Sequence, residues 1–312
     1  MTHQTEHQIT MSAPAGVIYD LIANVGNWPW VFPPAVHVDY VEQNGSDERI
    51  RIWATANGEV KGWTSRRTLD RDRLRIDFRQ EVSQKPVAAM GGHWVIEQVS
   101  DELARVRLAH DFQAVGNDPK SVSWILQAID RNSDAELAAL KTAAEQRGRD
   151  ELLLSFEDTV QLDDGSAKDV YDFIYDAEQW QQRLPHVARV ALTEDTPNVQ
   201  TLEMDTRTAE GSVHTTKSIR VCFPDHRIAY KQVRPPALMS VHTGLWSVDD
   251  EPGRTAVTSE HTVVLNRQAI TAVLGEQATV ADARAFVRDA LGRNSLATMR
   301  HAKAYASAGR RG

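Results

Sequence analysis

The sequence predicts two tandem α+β domains, each a curved antiparallel sheet wrapped around a long C-terminal helix with an internal cavity. Three observations support this fold class. The chain has 312 residues, and two domains of about 150 residues are expected because a single core seldom organises so long a chain. The first half of the sequence is repeated in the second half. Each half has several strand-like segments followed by one long helical segment.

The repeat indicates duplication of a whole domain. Residues 17–33 align without gaps with residues 169–185, at a spacing of 152 residues. Solenoid units are much shorter, about 20–50 residues, so a solenoid is excluded. The predicted domains are 1–147 and 151–312, with the charged segment 145–150 joining them. Later pairs keep the same order: Trp94 with Trp246, His110 with His261, and Arg131-Asn132-Ser133 with Arg293-Asn294-Ser295.

Each copy begins with a short amphipathic helix. In the first copy Ser12 is the predicted N-cap and Pro14 lies in the first turn. In the second copy the helix begins after Ser166. The apolar stripe of the first helix consists of Val17, Ile18, Leu21 and Ile22.

Strand-like alternation of apolar and polar residues follows the first helix. The predicted strands of the first copy are residues 49–52, 63–69, 74–78, 93–99 and 104–112. Turn-forming residues separate them at 44–45, 57–58, 70–73 and 116–119. The closing helices are predicted over residues 121–145 and 280–308.

The composition argues against several classes of function. With 41% hydrophobic and 25% charged residues the chain is an ordinary folded protein. No apolar run approaches the roughly 20 residues of a membrane span, so no membrane association is expected. A net charge of −8 argues against a nucleic-acid partner. The first residues lack a secretion signal and the single Cys222 excludes an intramolecular disulfide, so a cytoplasmic location is expected.

The segment 63–69 carries an unusual inward-facing charge. Alternation places four side chains on one face: Trp63, Ser65, Arg67 and Leu69. A buried, unpaired guanidinium costs several kcal/mol, so Arg67 should either pair with an acid or face a wet cavity. In the opposite registry Arg67 would be a solvated charge, and Thr64 and Thr68 would face inward.

Aromatic side chains are concentrated in the first copy, which holds six of the eight Trp residues. Trp28, Trp63 and Trp94 would supply flat walls for a flexible ligand, although core packing would also explain each of them. A solvent-open cavity deep enough for a chain of about ten or more carbons is therefore expected in the first domain.

These residues resemble the aromatase/cyclases of bacterial type II polyketide synthases, which have the START-like helix-grip fold. The resemblance covers both halves of the chain, and that family includes a two-domain subclass. One departure is Phe32, since single-domain members have a Tyr soon after the first helix. The matching segments are Asn27-Trp28, the run Trp63-x-Ser65-x-Arg67-Thr68-Leu69-Asp70, and Met90-x-x-His93-Trp94-x-x-Glu97.

The resemblance implies aldol cyclisation and dehydration of a poly-β-ketone, forming its first aromatic ring. The substrate would be tethered to an acyl carrier protein and already ketoreduced, with closure between its seventh and twelfth carbons. A ketoreductase and the minimal synthase would be the other partners, and no cofactor or metal is expected. The resemblance implies that Arg67 and Ser65 are catalytic. The expected substrate-binding residues are Trp28, Phe32, Trp63, Trp94 and His110.

An aldol step develops negative charge on oxygen, and Arg67 suits the stabilisation of that charge. Guanidinium is a poor base because it stays protonated above about pH 12. Methylene protons between two carbonyls are acidic, so a histidine or a water held by Ser65 would suffice. His93 and His110 are the candidate bases, and a purely structural role remains the alternative for both.

The second copy keeps four of these positions as Trp180, Ser218, Arg220 and Trp246, while Thr216 replaces Trp63. We expect this domain to be mainly structural, with a pocket narrowed by Pro235-Pro236 and by a longer segment before its closing helix. A second working site remains the alternative. For the whole chain, the alternatives to an enzyme are a non-catalytic lipid or polyketide carrier and a protein-interaction module.

Overall fold

The computed structural model describes residues 1–145, 149–162, 166–207, 211–251 and 254–309. The chain divides into two compact units, residues 1–147 and 148–312. Residues 146–148 of the predicted linker lie outside the described residues. None of the helices in the described part of the chain combines the length and the apolar composition needed to cross a membrane.

The N-terminal unit is a seven-stranded antiparallel sheet with three helices. Its elements are β1 (His3–Met11), α1 (Ala15–Ala23), α2 (Trp28–Val31), β2 (Ala35–Asn44), β3 (Asp47–Ala56), β4 (Glu59–Asp70), β5 (Arg75–Val82), β6 (Val87–Ser100), β7 (Leu103–Ala114) and α3 (Pro119–Glu145). The strand order is β1-β7-β6-β5-β4-β3-β2. Every strand except β1 therefore pairs with its neighbour in sequence, as tight turns between antiparallel strands allow.

The C-terminal unit repeats this architecture. Its elements are α4 (Arg149–Leu152), β8 (Leu153–Leu162), α5 (Ala167–Tyr175), α6 (Trp180–Arg183), β9 (Val187–Thr196), β10 (Val199–Arg207), β11 (Val213–Phe223), β12 (Arg227–Arg234), β13 (Met239–Glu251), β14 (Arg254–Leu265), α7 (Ile270–Leu274) and α8 (Val280–Gly309). Its sheet has the equivalent order β8-β14-β13-β12-β11-β10-β9.

Helix α3 packs on the sheet in two separate places. Near its C-terminus, Leu137 and Leu140 join the main core with α1. Near its N-terminus, Ile125 and Ile129 pack against Phe112 of β7. Each fully buried aliphatic side chain contributes about 1.5–3 kcal/mol, so both ends of the helix are held firmly. The middle of α3 faces the pocket described below.

The inward registry of β4 is confirmed. Ser65 and Arg67 are buried, whereas Arg66 and Thr68 are exposed. Thr64 is also buried, beside a register shift between β4 and β5 that separates it from Ser65. The two closing helices begin and end within two residues of the predicted positions.

Two local predictions are wrong, and two strands were not predicted. Ser12 does not cap α1, because β1 runs to Met11 and the Ser12 amide donates to Glu145 Oε1 at 2.6 Å, so Pro14 takes the N-cap position. Leu74 is in the turn before β5, with a positive φ of 47°. The strands β1 and β2 were missed, since both are edge strands and β1 is mostly polar.

Candidate active site

The N-terminal unit contains a pocket between its sheet and the middle of α3. The space between its walls measures about 860 Å³, part of which is open solvent at the mouth. Apolar and aromatic side chains form most of the wall, with a few polar groups among them. The wall includes Trp28, Ile52, Ala54, Lys61, Trp63, Gln80, Met90, His110, Trp124, Ile129, Asn132, Ser133 and Glu136.

Arg67 lies behind this wall and does not line the pocket. Its side chain is 2% exposed, and its Nη1 forms an ion pair with Glu48 Oε1 at 2.7 Å. Of the two environments expected for a buried Arg67, the structure therefore shows the pairing with an acid. Burial lowers the pKa of Arg67 and raises that of Glu48, and the charge of each partner opposes the shift of the other.

The guanidinium of Arg67 also caps the C-terminus of α1. It donates to Ile22 O at 3.0 Å and to Ala23 O at 3.3 Å. These carbonyls belong to the last turn of the helix, where backbone oxygens lack intrahelical partners. Arg67 of β4 therefore stabilises the C-terminal end of α1.

Trp28 connects this buried arrangement to the pocket. The Arg67 guanidinium carbon lies 5.0 Å from the centroid of the Trp28 ring, a cation–π contact. Trp28 Nε1 donates to Ile22 O at 3.0 Å, and Phe32 packs edge-on at 5.5 Å between ring centroids. Trp28 lines the pocket, so Arg67 holds a wall of the cavity from outside it.

His110 is the imidazole in the pocket wall. It lies on β7 and packs edge-on against Phe78, with 5.5 Å between ring centroids. Its Nδ1 is buried and makes no hydrogen bond within the described residues. Burial, with a smaller effect of His7, lowers the pKa of His110 to about 4. At neutral pH His110 is therefore a neutral ring with one nitrogen able to accept a proton.

Glu136 is a carboxyl group in the same pocket. It lies on α3 one turn after Asn132 and makes no ion pair within the described part of the chain. Burial raises its pKa to about 8. Glu136 is therefore mostly protonated at pH 7 and can donate a proton, as acids kept neutral in apolar sites do.

The structure brings only some of the predicted first-domain residues to the pocket. Trp28, Trp63 and His110 line it, whereas Ser65, like Arg67, is buried beside it. His93, on the opposite face of β6 from Trp94, is also absent from the wall. Phe32 and Trp94 stack on each other at 6.2 Å between ring centroids, inside the main core.

Sequence reasoning missed Glu136, although a signal for it exists. Asn132 and Ser133 belong to the Arg-Asn-Ser triplet that recurs in both closing helices, and both line the pocket. Residues three and four positions further along a helix lie on the same face. Glu136 occupies that position relative to both residues.

The C-terminal unit has a pocket of its own. It encloses about 790 Å³, mouth included, and its wall contains all four residues proposed for it, Trp180, Ser218, Arg220 and Trp246. The two pockets are similar in volume, so the expected narrowing is not found. Pro236 is in the wall, but the extra segment before α8 packs elsewhere, with Ile270 of α7 in a cluster that includes Leu238 and Met239.

Arg220 has a different partner from Arg67. It caps α5 in the same way, donating to Ile174 O at 2.5 Å and Tyr175 O at 3.3 Å. Its Nη1 also donates to the uncharged Gln200 Oε1 at 2.7 Å, where the first unit has Glu48. Arg220 also lines the pocket, and among the described residues no carboxylate bonds directly to it.

Comparison with known proteins identifies the family. The family model described as "Polyketide cyclase / dehydrase and lipid transport" matches residues 11–133 and 164–290. The granaticin polyketide synthase bifunctional cyclase/dehydratase of Streptomyces virginiae is 48% identical over 95% of this chain and 97% of its own. The actinorhodin polyketide synthase bifunctional cyclase/dehydratase of Streptomyces coelicolor is 46% identical over 97% of both chains.

Two solved structures match this chain over almost its whole length. The di-domain ARO/CYC BexL from the BE-7585A biosynthetic pathway is 56% identical, with a TM-score of 0.87 over 97% of this chain and 98% of that one. The di-domain ARO/CYC StfQ from the steffimycin pathway is 33% identical, with a TM-score of 0.86 over the same shares. This chain is therefore a two-domain member of the polyketide cyclase/dehydrase and lipid transport family.

Proposed function

We propose that this polyketide cyclase/dehydratase closes the first ring of a poly-β-ketone in its N-terminal pocket, on a chain carried by an acyl carrier protein and already ketoreduced. The observation that carries the proposal is the presence of His110 and Glu136 in one aromatic-walled cavity. These two groups are in the neutral forms that proton removal and proton donation require.

The pocket wall suits a flexible, oxygen-rich chain. Trp28, Trp63 and Trp124 supply flat surfaces against which the chain can fold, and the new ring can stack on them. Gln80 and Asn132 add hydrogen-bonding amides that can orient ketone oxygens. Ring closure within one chain is already unimolecular, so the pocket would lower its barrier by holding the two reacting carbons close together and correctly oriented.

In the aldol step, His110 removes a proton from a methylene group between two ketones. The resulting enolate carbon attacks a second ketone, forming the carbon–carbon bond of the ring. Glu136 gives its proton to the oxygen of the attacked ketone, which becomes a hydroxyl. A weak base is sufficient because the methylene protons are already acidic.

Arg67 acts as a positioning residue in this scheme. Its donors are engaged by Glu48, Ile22 O and Ala23 O, so it holds Trp28 and the end of α1 in place. Ser65 is buried two residues before Arg67 in β4 and is likewise absent from the pocket wall.

The proposal is tested by reconstituting the protein with a minimal synthase and a ketoreductase, and comparing the products of Glu136→Gln with those of the unchanged protein. Glutamine keeps the size of the side chain and cannot donate an acidic proton, so ring closure should slow on the order of 100-fold. Glu102→Gln, on an exposed turn, is the matched control and should have no effect. An unchanged product profile without the protein would contradict the proposal.

A further inference from the structure

We propose that the C-terminal pocket is a second catalytic site, in which Tyr230, His242 and His261 remove water from a hydroxylated cyclic ketone. This inference rests on the proposed function, because its substrate is the ring formed in the N-terminal pocket.

The three side chains form a hydrogen-bonded cluster in the pocket wall. Tyr230 Oη lies 3.1 Å from His261 Nδ1 and 3.5 Å from His242 Nε2. The two imidazole nitrogens, His242 Nε2 and His261 Nδ1, are 3.0 Å apart. Two bare ring nitrogens at this distance would repel each other, so one hydrogen lies between them. The cluster is therefore a continuous path for protons.

The serine hydroxyls on the far side of His261 accommodate the tautomer that this step requires. His261 Nε2 is 2.7 Å from Ser295 Oγ and 3.1 Å from Ser259 Oγ, and it can donate to either. His261 Nδ1 then accepts the hydrogen from His242 Nε2. This arrangement leaves His242 Nδ1 without a hydrogen, and that atom makes no hydrogen bond within the described residues. In this tautomer His242 Nδ1 is a buried acceptor nitrogen, in a residue that lines the pocket.

The N-terminal unit shows that the fold does not need this cluster. At the positions equivalent to Tyr230 and His242 it has Phe78 and Met90, which are apolar. Only the histidine is shared, as His110 and His261. Burying polar groups is costly, so a fold that is stable with Phe and Met gains nothing structural from Tyr and His there. The polar cluster therefore points to chemistry in this pocket.

Arg220 supplies the charge that dehydration requires. Dehydration of a β-hydroxyketone passes through an enolate, whose oxygen is negatively charged. Arg220 is buried in the pocket wall, and its Nη1 and Nη2 donate to neutral acceptors, Gln200 Oε1 and the last carbonyls of α5, so it would act on an enolate through its charge and not through a free N–H. Gln200 in turn donates to Glu194, so a carboxylate lies one hydrogen bond further away. In the first unit the equivalent arginine is neutralised by Glu48 and lies outside the wall. The second pocket is thus the better suited of the two to an enolate.

The proposed step conserves protons within the cluster. His242 Nδ1 takes the proton from the carbon next to the ketone, and the electrons of that C–H bond form the enolate. The enolate then forms the new C=C bond as the C–O bond to the hydroxyl breaks, and Tyr230 gives its proton to the departing oxygen, which leaves as water. The proton on His242 Nε2 moves through His261 Nδ1 to the Tyr230 oxygen, which leaves His242 protonated on Nδ1 alone. Loss of that Nδ1 proton to water and return of one to Nε2 restore the starting cluster before the next turnover.

The experiment uses the full chain, reconstituted with a minimal synthase and a ketoreductase. The products are separated and their masses are measured by mass spectrometry. The variants are Tyr230→Phe and His242→Met, the residues that the N-terminal unit itself carries at these positions. Both should close the ring and accumulate a product heavier by one water than the aromatic one, with dehydration slowed on the order of 100-fold.

The matched control is Tyr171→Phe. Tyr171 is buried in the same unit, its hydroxyl makes no hydrogen bond within the described residues, and it lies outside the pocket wall. This variant should dehydrate normally. If Tyr230→Phe and His242→Met both form the aromatic product at the unchanged rate, the inference is overturned while the proposed function stands. If the unchanged protein forms no ring at all, the proposed function is overturned and this inference with it.

Discussion

Two equivalent arginines in this chain have different electrostatic partners. Arg67 and Arg220 both cap the helix that precedes a pocket tryptophan, and each lies about 5 Å from that ring. Arg67 is paired with a buried carboxylate, whereas the direct side-chain partner of Arg220 is an amide. Removing the first arginine leaves a buried charge unpaired, while removing the second leaves an unpaired neutral group. Removal of Arg67 should therefore lower the free energy of unfolding more than removal of Arg220.

We expect Arg67→Ala to reduce the free energy of unfolding of its domain by about 3–5 kcal/mol, the usual effect of breaking a buried ion pair by removing one partner. Arg220→Ala should cost less, because it breaks hydrogen bonds to neutral groups and leaves no buried carboxylate without its direct partner. Arg66→Ala, at an exposed position, is the control. Denaturant unfolding measures all three, and an equal loss for Arg67→Ala and Arg66→Ala would contradict the structural role of Arg67.

The pKa of Glu136 makes both activity and stability depend on pH. Its value of about 8 in the folded protein exceeds the ordinary carboxyl value of 4.5. Between these values the folded state binds more protons than the unfolded state, so this contribution to stability is complete below about pH 4.5 and is lost as the pH rises through about 8. The rate of ring closure should fall as the pH approaches and passes about 8, because Glu136 loses the proton that it donates.

Glu136→Gln should remove that part of the pH dependence. The thermal midpoint of the variant should vary less between pH 5 and pH 8 than that of the unchanged protein, because glutamine does not titrate. Thermal unfolding at a series of pH values measures this. Identical pH profiles for the two proteins would show that Glu136 has an ordinary pKa and is not the proton donor.

At the scale of elements, the long closing helices were predicted from sequence because their apolar period is strong and their ends carry clear signals. The two edge strands could not be predicted in this way. Strand β1 is mostly polar, and its pairing with β7 joins residues about 100 positions apart. Such pairing depends on the tertiary fold, which local periodicity does not report.

Strand β6 passes very close to its neighbours at Gly92. A Cβ at this position would lie 1.9 Å from the backbone oxygen of Ala109 and 2.8 Å from the Phe78 ring. We expect Gly92→Ala to destabilise the N-terminal unit by more than about 3 kcal/mol, because the backbone of β7 would have to move.

Gly91→Ala is the matched control for Gly92→Ala. The atoms nearest its Cβ would be those of the Arg79 guanidinium, which is the end of a flexible side chain. Its effect should be clearly smaller. Equal unfolding midpoints for the two variants would contradict the strand pairing described for β6 and β7.

At the scale of the whole molecule, the duplication and the resemblance predicted the architecture and the enzyme class, and the comparisons confirm both. The carrier alternative has no support among the full-length relatives reported above. The sequence was less successful in predicting which residues line the pocket. Alternation placed Arg67 on the inner face of β4, but periodicity cannot distinguish a cavity wall from the buried layer behind it. That distinction depends on Glu48 and the end of α1.

The division of work between the two pockets is the central claim, and matched pocket-filling variants test it most directly. Ala54 and Thr206 occupy equivalent positions and each lines its own pocket. Phenylalanine at either position would occupy the space of the ligand. Circular dichroism of both variants would confirm that they remain folded.

The decisive measurement is the product made by each filled variant with a minimal synthase and a ketoreductase. Ala54→Phe should abolish ring closure, since the first step has no cavity in which to occur. Thr206→Phe should still close the ring but should leave a product heavier by one water. If Thr206→Phe abolishes ring closure while Ala54→Phe leaves it intact, the assignment of the first step to the N-terminal pocket is wrong.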